Sequence, residues 1–260
     1  MSSSDTLPLP RVVDVEISDG VATITLNSQA NRNALSRQLL SELHAALDVA
    51  EAADARAIVL THIGPAFCAG ADLSERREGP PDSTPFVSVL KRLMDTPRPT
   101  IAKVNGAVRA GGIGLMAACD LVVIAPTVSF ALTEVRIGVA AAIISVPILR
   151  RVPPGRIAAA MLTGEAFDAK YALEIGLVTH VSEDPDHVVS GLCAGIAAGA
   201  PTAVAETKKM MQIVPGLDRD YAFEQMQLLS ETLFQSADAQ EGMTAFKEKR
   251  APRWAQTGNE

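Results

Sequence analysis

Three stretches hold residue types at spacings that chemistry needs. The first is FCAGADL, residues 67–73. Cys68, Ala69, Gly70 and Ala71 carry little side-chain bulk, so a ligand can approach their backbone. The stretch follows a strand-like run and precedes a helix start, where N–H groups lack partners. The second is AGGIGLMAACD, residues 110–120. Gly111, Gly112 and Gly114 crowd what otherwise reads as a buried helix, at a cost of roughly 1 kcal/mol each relative to alanine. It too follows a strand and opens a helix. Two such strand ends in one sheet can aim two N–H donors at one oxygen. That is the geometry of an oxyanion hole, where a donor is worth roughly 3 kcal/mol in the transition state. The third is SFALTEVRIGV, residues 129–139, which sets Glu134 among apolar residues. A carboxyl group buried there without a strong partner has a raised pKa, as a proton-transfer catalyst needs.

Each stretch also has a plainer reading. The first suits a tight strand-to-helix connection whose small residues merely pack. The second suits close helix–strand contact that only glycine permits. The third suits a Glu134–Arg136 surface pair, or a glutamate at a helix N-terminus. A competing functional reading exists as well. Gly112 to Ala117 satisfies G-x-G-x-x-A, the dinucleotide fingerprint, with Glu134 as the acidic residue downstream. The helix is short for that role, however, and Glu134 does not end the next strand. The histidines His44, His62, His180 and His187 have no partner spacing, and no G-x-S-x-G, H-E-x-x-H or Walker motif is present.

The elements that must position these residues follow from periodicity. Residues 11–26 alternate around Asp19-Gly20 as an opening hairpin. Ser36 caps a helix with Leu39, Leu40, Leu43 and Leu47 as its stripe. Strands are expected at 57–62, 99–106 and 121–125, with a short extended piece at 129–132. Asp72 and Glu75 have capping-box spacing, and 79–85 reads as a surface insertion. A helix is expected over 85–95. From about 142 the chain reads as helix after helix, with a strand-like interruption at 177–182. Pro154-Gly155 starts one helix, Asp168 caps another ending at Gly176, and 184–198, 201–213, 218–235 and 237–249 complete the set. No internal repeat is evident. The fold class is α/β with a helical C-terminal region.

Composition narrows the function. The chain has 260 residues, 48% hydrophobic and 20% charged, which suits a globular protein with a sizeable core. A net charge of −7 gives no electrostatic footprint for nucleic acid. Cys68, Cys119 and Cys193 are scattered and fit reduced thiols in a cytoplasmic setting, with no metal framework. No signal peptide or membrane span is indicated.

NRNALS (31–36), FCAGADLSE (67–75), KVNGAVRAGGIGLMAACDLVVIA (103–125), SFALTEVRIGV (129–139), LTGEAFDAKYALEIGLV (162–178) and GMTAFKEKRAPRW (242–254), in this order, resemble the crotonase family, the enoyl-CoA hydratase/isomerase superfamily. The resemblance implies a crotonase-like ββα spiral over residues 1–200 and a helical oligomerisation region over 201–260, giving a homotrimer or hexamer. It implies an acyl-CoA thioester substrate and no separate cofactor. It maps the two oxyanion amides onto Ala71 and Gly111, and the acid/base onto Glu134. Ala69, Asp72 and Leu73 would flank the CoA arm, Asn31, Arg32 and Ala34 the adenine and pantetheine, and Phe246 and Lys249 would reach a neighbouring subunit's CoA.

One departure stands out. Hydratases of the family carry a second glutamate where this chain has Gly114. Gly114 also removes side-chain volume, which is expected to leave room for a branched acyl group or another catalytic group. Three readings follow: Glu134 as sole base of an isomerase, Glu134 managing water addition in the manner of methylglutaconyl-CoA hydratase-type members, or an acyl-CoA-binding protein with little activity. Asp72, Glu75 and Asp120 read as capping or structural acids.

Overall fold

The computed structural model describes residues 10–75 and 82–255. In chain order the strands and helices begin with the hairpin β1 (Val13–Ser18) and β2 (Val21–Leu26), then α1 (Arg37–Ala52), β3 (Ala57–His62), β4 (Ala66–Cys68) and α2 (Thr84–Asp95). Next come β5 (Thr100–Val104), β6 (Ala107–Arg109), α3 (Gly111–Ala117), β7 (Leu121–Ile124), β8 (Ser129–Ala131) and α4 (Ala142–Arg151). The chain continues through α5 (Pro154–Thr163), β9 (Phe167–Asp168), α6 (Ala169–Glu174), β10 (His180–Val181) and α7 (Pro185–Ala198). It ends in α8 (Pro201–Ile213), α9 (Arg219–Phe234) and α10 (Ala237–Glu248).

Two sheets form. The larger runs β1-β2-β3-β5-β7-β10 and is parallel beyond the opening hairpin. The smaller runs β4-β6-β8-β9, with β4, β6 and β8 parallel and β9 antiparallel to β8. The chain alternates between them. Strands β3, β5 and β7 of the larger sheet are each followed by β4, β6 and β8 of the smaller, then by α2, α3 and α4. This is a spiral of strand–strand–helix turns, a repeat of structure that the sequence does not spell out. Successive turns lie close. The Ala107 amide donates to the Pro65 carbonyl at 3.0 Å, and a Cβ on Gly106 would stand 2.6 Å from that oxygen.

The larger sheet is covered on both faces, which is why β3 reads as an unbroken apolar run. Ile58 and Leu60 join the main core with α1, while Ala57 and Val59 join Ile101, Val123, Val189 and Cys193 beneath α7. The α1 stripe is as expected, since Leu39, Leu40, Leu43 and Leu47 are buried and Ser36 Oγ accepts from the Leu39 amide at 3.2 Å. The strand expected at 99–106 stops at Val104, and that at 177–182 shrinks to His180–Val181. Of the 79–85 insertion, 79–81 lie outside the described residues, and Thr84-Pro85 already opens α2, with the Thr84 amide donating to Asp82 Oδ1 at 2.9 Å.

Asp72 and Glu75 do not form the reciprocal box that their spacing suggests. Asp72 Oδ1 accepts from the Ser74 amide and hydroxyl at 3.0 and 2.6 Å. Glu75 reaches across to α1 instead, accepting from the Arg37 amide at 2.9 Å. Each acid pins a separate segment.

The C-terminal helices attach through a buried cation. Lys208 of α8, 4% exposed at its side chain, pairs with Asp120 at 2.8 Å. It also donates to the Leu93 and Arg98 carbonyls at 3.1 and 3.0 Å. Asp120 in turn accepts from the Thr100 amide and hydroxyl at 2.7 and 2.9 Å. Helices α8 to α10 otherwise bury little, leaving Phe223 and Phe234 exposed. Among the described residues no single helix is long and apolar enough to cross a membrane.

Candidate active site

Strands β4, β6 and β8 are parallel neighbours, so they end on one edge of the smaller sheet. Ala69-Gly70-Ala71 follows β4, Ala110-Gly111 follows β6, and Leu132-Thr133-Glu134 follows β8. The three stretches singled out in the sequence therefore meet, with Gly111 on the central strand's exit. Adjacent strands stand about 4.8 Å apart. Loops at the carboxyl edge of a parallel sheet are where such folds bind ligands.

The loop carrying Ala71 is clamped by residues 31–36. The Leu35 amide donates to the Gly70 carbonyl at 2.8 Å and the Ala69 amide to the Arg32 carbonyl at 3.1 Å. Asn31 Nδ2 donates to Asp72 Oδ2 at 3.0 Å. Asn33, fully buried, fastens this corner although no motif spacing points to it. Its Nδ2 donates to the Ile63 and Ala66 carbonyls at 3.1 and 2.8 Å, and its Oδ1 accepts from the Ser28 amide at 2.7 Å. Its φ of 55° is one that asparagine tolerates better than most residues, the only local signal available.

Gly70 has φ 93°, and a Cβ there would stand 2.9 Å from the Ala110 Cβ. At Gly111 a Cβ would stand 2.7 Å from Leu35 Cδ1, so an added methyl requires the end of that side chain to shift. Ala110, with φ 48° and ψ −120°, occupies a region costly for an L-residue, by about 1–3 kcal/mol. That twist turns the chain from β6 directly into α3. Among the described residues neither the Ala71 nor the Gly111 amide donates to a protein acceptor. Two free donors on neighbouring strand exits can serve one incoming oxygen.

Glu134 lies in a short 3-10 helix, Thr133–Ile137. It is half-buried, its Oε2 is buried without a hydrogen-bond partner, and burial raises its pKa above the ordinary glutamate range. The Glu134–Arg136 pair does not form; Arg136 Nε donates to the Thr163 carbonyl at 2.9 Å instead. A carboxyl so placed is suited to taking up and returning a proton.

The space expected beside Gly114 is filled. A Cβ on Gly114 would stand 2.5 Å from the Ile144 Cβ and 3.2 Å from its Cα, with Cγ2 closer still. Helix α4 rests directly on α3, leaving no room for an added group. Gly112 is similarly met, its Cβ position lying 2.9 Å from the Cys68 carbonyl oxygen. The glycines of the dinucleotide fingerprint thus face protein, not an open cradle for a pyrophosphate.

Asn31, Arg32, Ala34, Ala69 and Asp72 belong to the two clamped loops beside Ala71. Leu73 follows them and is 61% exposed. Phe246 is 85% exposed, and Lys249 sits at the C-terminal cap of α10 with φ 55°. Among the described residues no group of three His, Cys, Asp or Glu is arranged to hold a metal ion.

Comparison with known proteins agrees with this architecture. The family described as enoyl-CoA hydratase/isomerase matches residues 16–257. A putative enoyl-CoA hydratase of Thermus thermophilus is 36% identical over 252 residues, covering 92% of this chain and all of that one. The crystal structure of an enoyl-CoA hydratase from Mycobacterium smegmatis superposes with a TM-score of 0.87 at 31% identity, over 94% of this chain and 99% of that one. A putative enoyl-CoA hydratase from Mycobacterium avium paratuberculosis is 43% identical, with a TM-score of 0.71 over the same shares.

Proposed function

The chain belongs to the enoyl-CoA hydratase/isomerase family, and on that premise we propose that it reversibly hydrates a 2-enoyl-CoA thioester. The Ala71 and Gly111 amides receive the thioester oxygen, and Glu134 is the single acid/base. The observation that carries this reading is the buried, unpartnered Oε2 of Glu134 on the strand exit next to that of Gly111. Glu134 takes a proton from water as its oxygen bonds to C3. The C2–C3 π electrons move toward C2 and the carbonyl, and the oxygen gains negative charge against two N–H donors. Glu134 then returns the proton to C2. Losing one such donor typically costs about 10²–10³ in rate.

A second reading is favoured by Ile144. Its hydrocarbon occupies the flank of α3 where a second proton-transfer group would stand. A lone carboxylate can instead move a proton between C2 and C4, which is Δ3,Δ2-enoyl-CoA isomerisation.

The test is a panel of 2-enoyl- and 3-enoyl-CoA thioesters, including branched and carboxylated acids, followed by mass. A gain of about 18 Da, the mass of one water added across the double bond, identifies hydration. Altered retention at constant mass identifies isomerisation. No change with any thioester leaves acyl-CoA binding alone.

Further parts of the reading rest on the family. Coenzyme A enters as part of the substrate, and no resident cofactor or metal is needed for enolate stabilisation by N–H donors. Residues 201–260 serve oligomerisation into a homotrimer or hexamer, which the exposed Phe223, Phe234 and Phe246 support. Three free buried cysteines support a reducing, cytoplasmic setting.

A further inference from the structure

The segment from Ala131 to Ile144 is pinned to α3 at both ends. At its start, the Ala131 carbonyl accepts from the Ala110 amide at 3.0 Å, immediately before Gly111. At its end, Ile144 presses its Cβ and Cγ2 against the bare face of Gly114, one helical turn beyond Gly111. One anchor therefore lies at Ala110, the residue that caps α3, and the other at Gly114 in its first turn, so the two flank Gly111 along the chain. Glu134 stands in the arch between them. The arch itself is held by the Val139 amide donating to the Glu134 carbonyl at 3.1 Å, with Gly138 at φ 79° making the bend.

We infer that Ile144 is a positioning residue for the reaction, its β-branched contact with Gly114 setting how the Glu134 carboxyl stands relative to the Gly111 amide. The inference rests on the proposed role of Glu134. It accounts for why three glycines are needed where one would free the amide. Gly111 lets Leu35 approach, Gly112 lets Cys68 approach, and Gly114 lets α4 close on the same helix. It also specifies atoms. The Ile144 atoms nearest the Gly114 face are Cγ2, Cβ and Cα, not Cδ1. Valine keeps these atoms, whereas leucine loses the branch at Cβ.

The experiment measures kcat and KM of the full chain with the thioester turned over fastest in the panel. Ile144→Val is expected to stay within about twofold of the parent. Ile144→Leu is expected to lose about tenfold in kcat with KM within about twofold, because misplacement of a reacting group by a fraction of an ångström already slows chemistry. Gly114→Ala, which pushes the same contact from the other side, is expected to lose kcat in the same way. Thermal unfolding and calorimetric coenzyme A binding report whether each variant is folded. Parent-like kcat in Ile144→Leu, equal impairment by valine and leucine, or a loss confined to KM or to stability overturns the inference. Full turnover by Glu134→Gln, or none by the parent, overturns instead the reading beneath it.

Discussion

The Ala110 amide donates to the Ala131 carbonyl at 3.0 Å, tying the strand that runs into Gly111 to the strand that runs into Glu134. This hydrogen bond extends the β6–β8 pairing to the point where the chain leaves both strands, holding donor and acid one strand spacing apart.

Glu134→Gln is expected to abolish turnover while leaving coenzyme A binding nearly intact, measured by steady-state rates and calorimetry. It also carries a stability signature. Burial raises the Glu134 pKa in the folded protein, so ionisation opposes folding. The protonated form's advantage is present below the ordinary glutamate range and lost as pH rises through the raised folded value. The glutamine variant should therefore unfold at a slightly higher temperature at neutral pH, and the gain should vanish in acid.

For the same reason the parent's activity should rise with pH through a pKa above that of an ordinary glutamate, as Glu134 becomes available as a base. The acid limb of a kcat/KM profile reads this directly. A limb at the ordinary glutamate value contradicts the burial of the carboxyl.

Gly111→Ala places a methyl 2.7 Å from Leu35 Cδ1, the far end of a flexible side chain. The variant should fold, with the new methyl and the displaced Leu35 end crowding the approach to the amide. A loss of about 10² in kcat is expected, in line with losing one oxyanion donor. Trimming the neighbour with Leu35→Ala in the same chain should restore part of the rate, and a double mutant no faster than the single would place the defect elsewhere.

Lys208→Met removes the cation that joins α8 to Asp120 and to two carbonyls. Breaking one side of a buried pair typically costs about 3–5 kcal/mol. Urea unfolding should show a loss of that size, because Asp120, largely shielded from water, then keeps hydrogen bonds only from Thr100 among the described residues.

Phe223→Asp with Phe234→Asp places charge on the exposed aromatics of α9. Sedimentation of the parent should give three or six chains, and the variant should shift to smaller species.

Much of this molecule is legible in its sequence, and the reasons are local. Leu39, Leu40, Leu43 and Leu47 announce α1 by period, and Ser36 announces its start. Cys68 to Ala71 and Gly111 to Gly114 announce unusual backbone because small residues in apolar runs are costly unless something needs the space. What stays hidden is what fills that space. Ile144 is an ordinary apolar residue thirty positions beyond Gly114, and only the tertiary fold says that it lies there. Glu75 has the spacing of a local cap but finds a nearer partner in Arg37. Nothing in the sequence around Lys208 marks it as buried, because the partners that close around it come from the ends of α2 and β5 and from Asp120. The strand–strand–helix repeat is equally silent, because each turn faces different neighbours and so uses different side chains.

Cys68 lies beneath the loop that carries Ala71, its sulfur accepting from the Gly70 amide at 3.4 Å. Burial pushes its thiol up to about 12. Only a thiolate attacks electrophilic carbon efficiently. On the proposed function, a thioester seated over this loop would lie above a sulfur that is fully buried and held protonated, two features that both disfavour transfer of the acyl group to the protein.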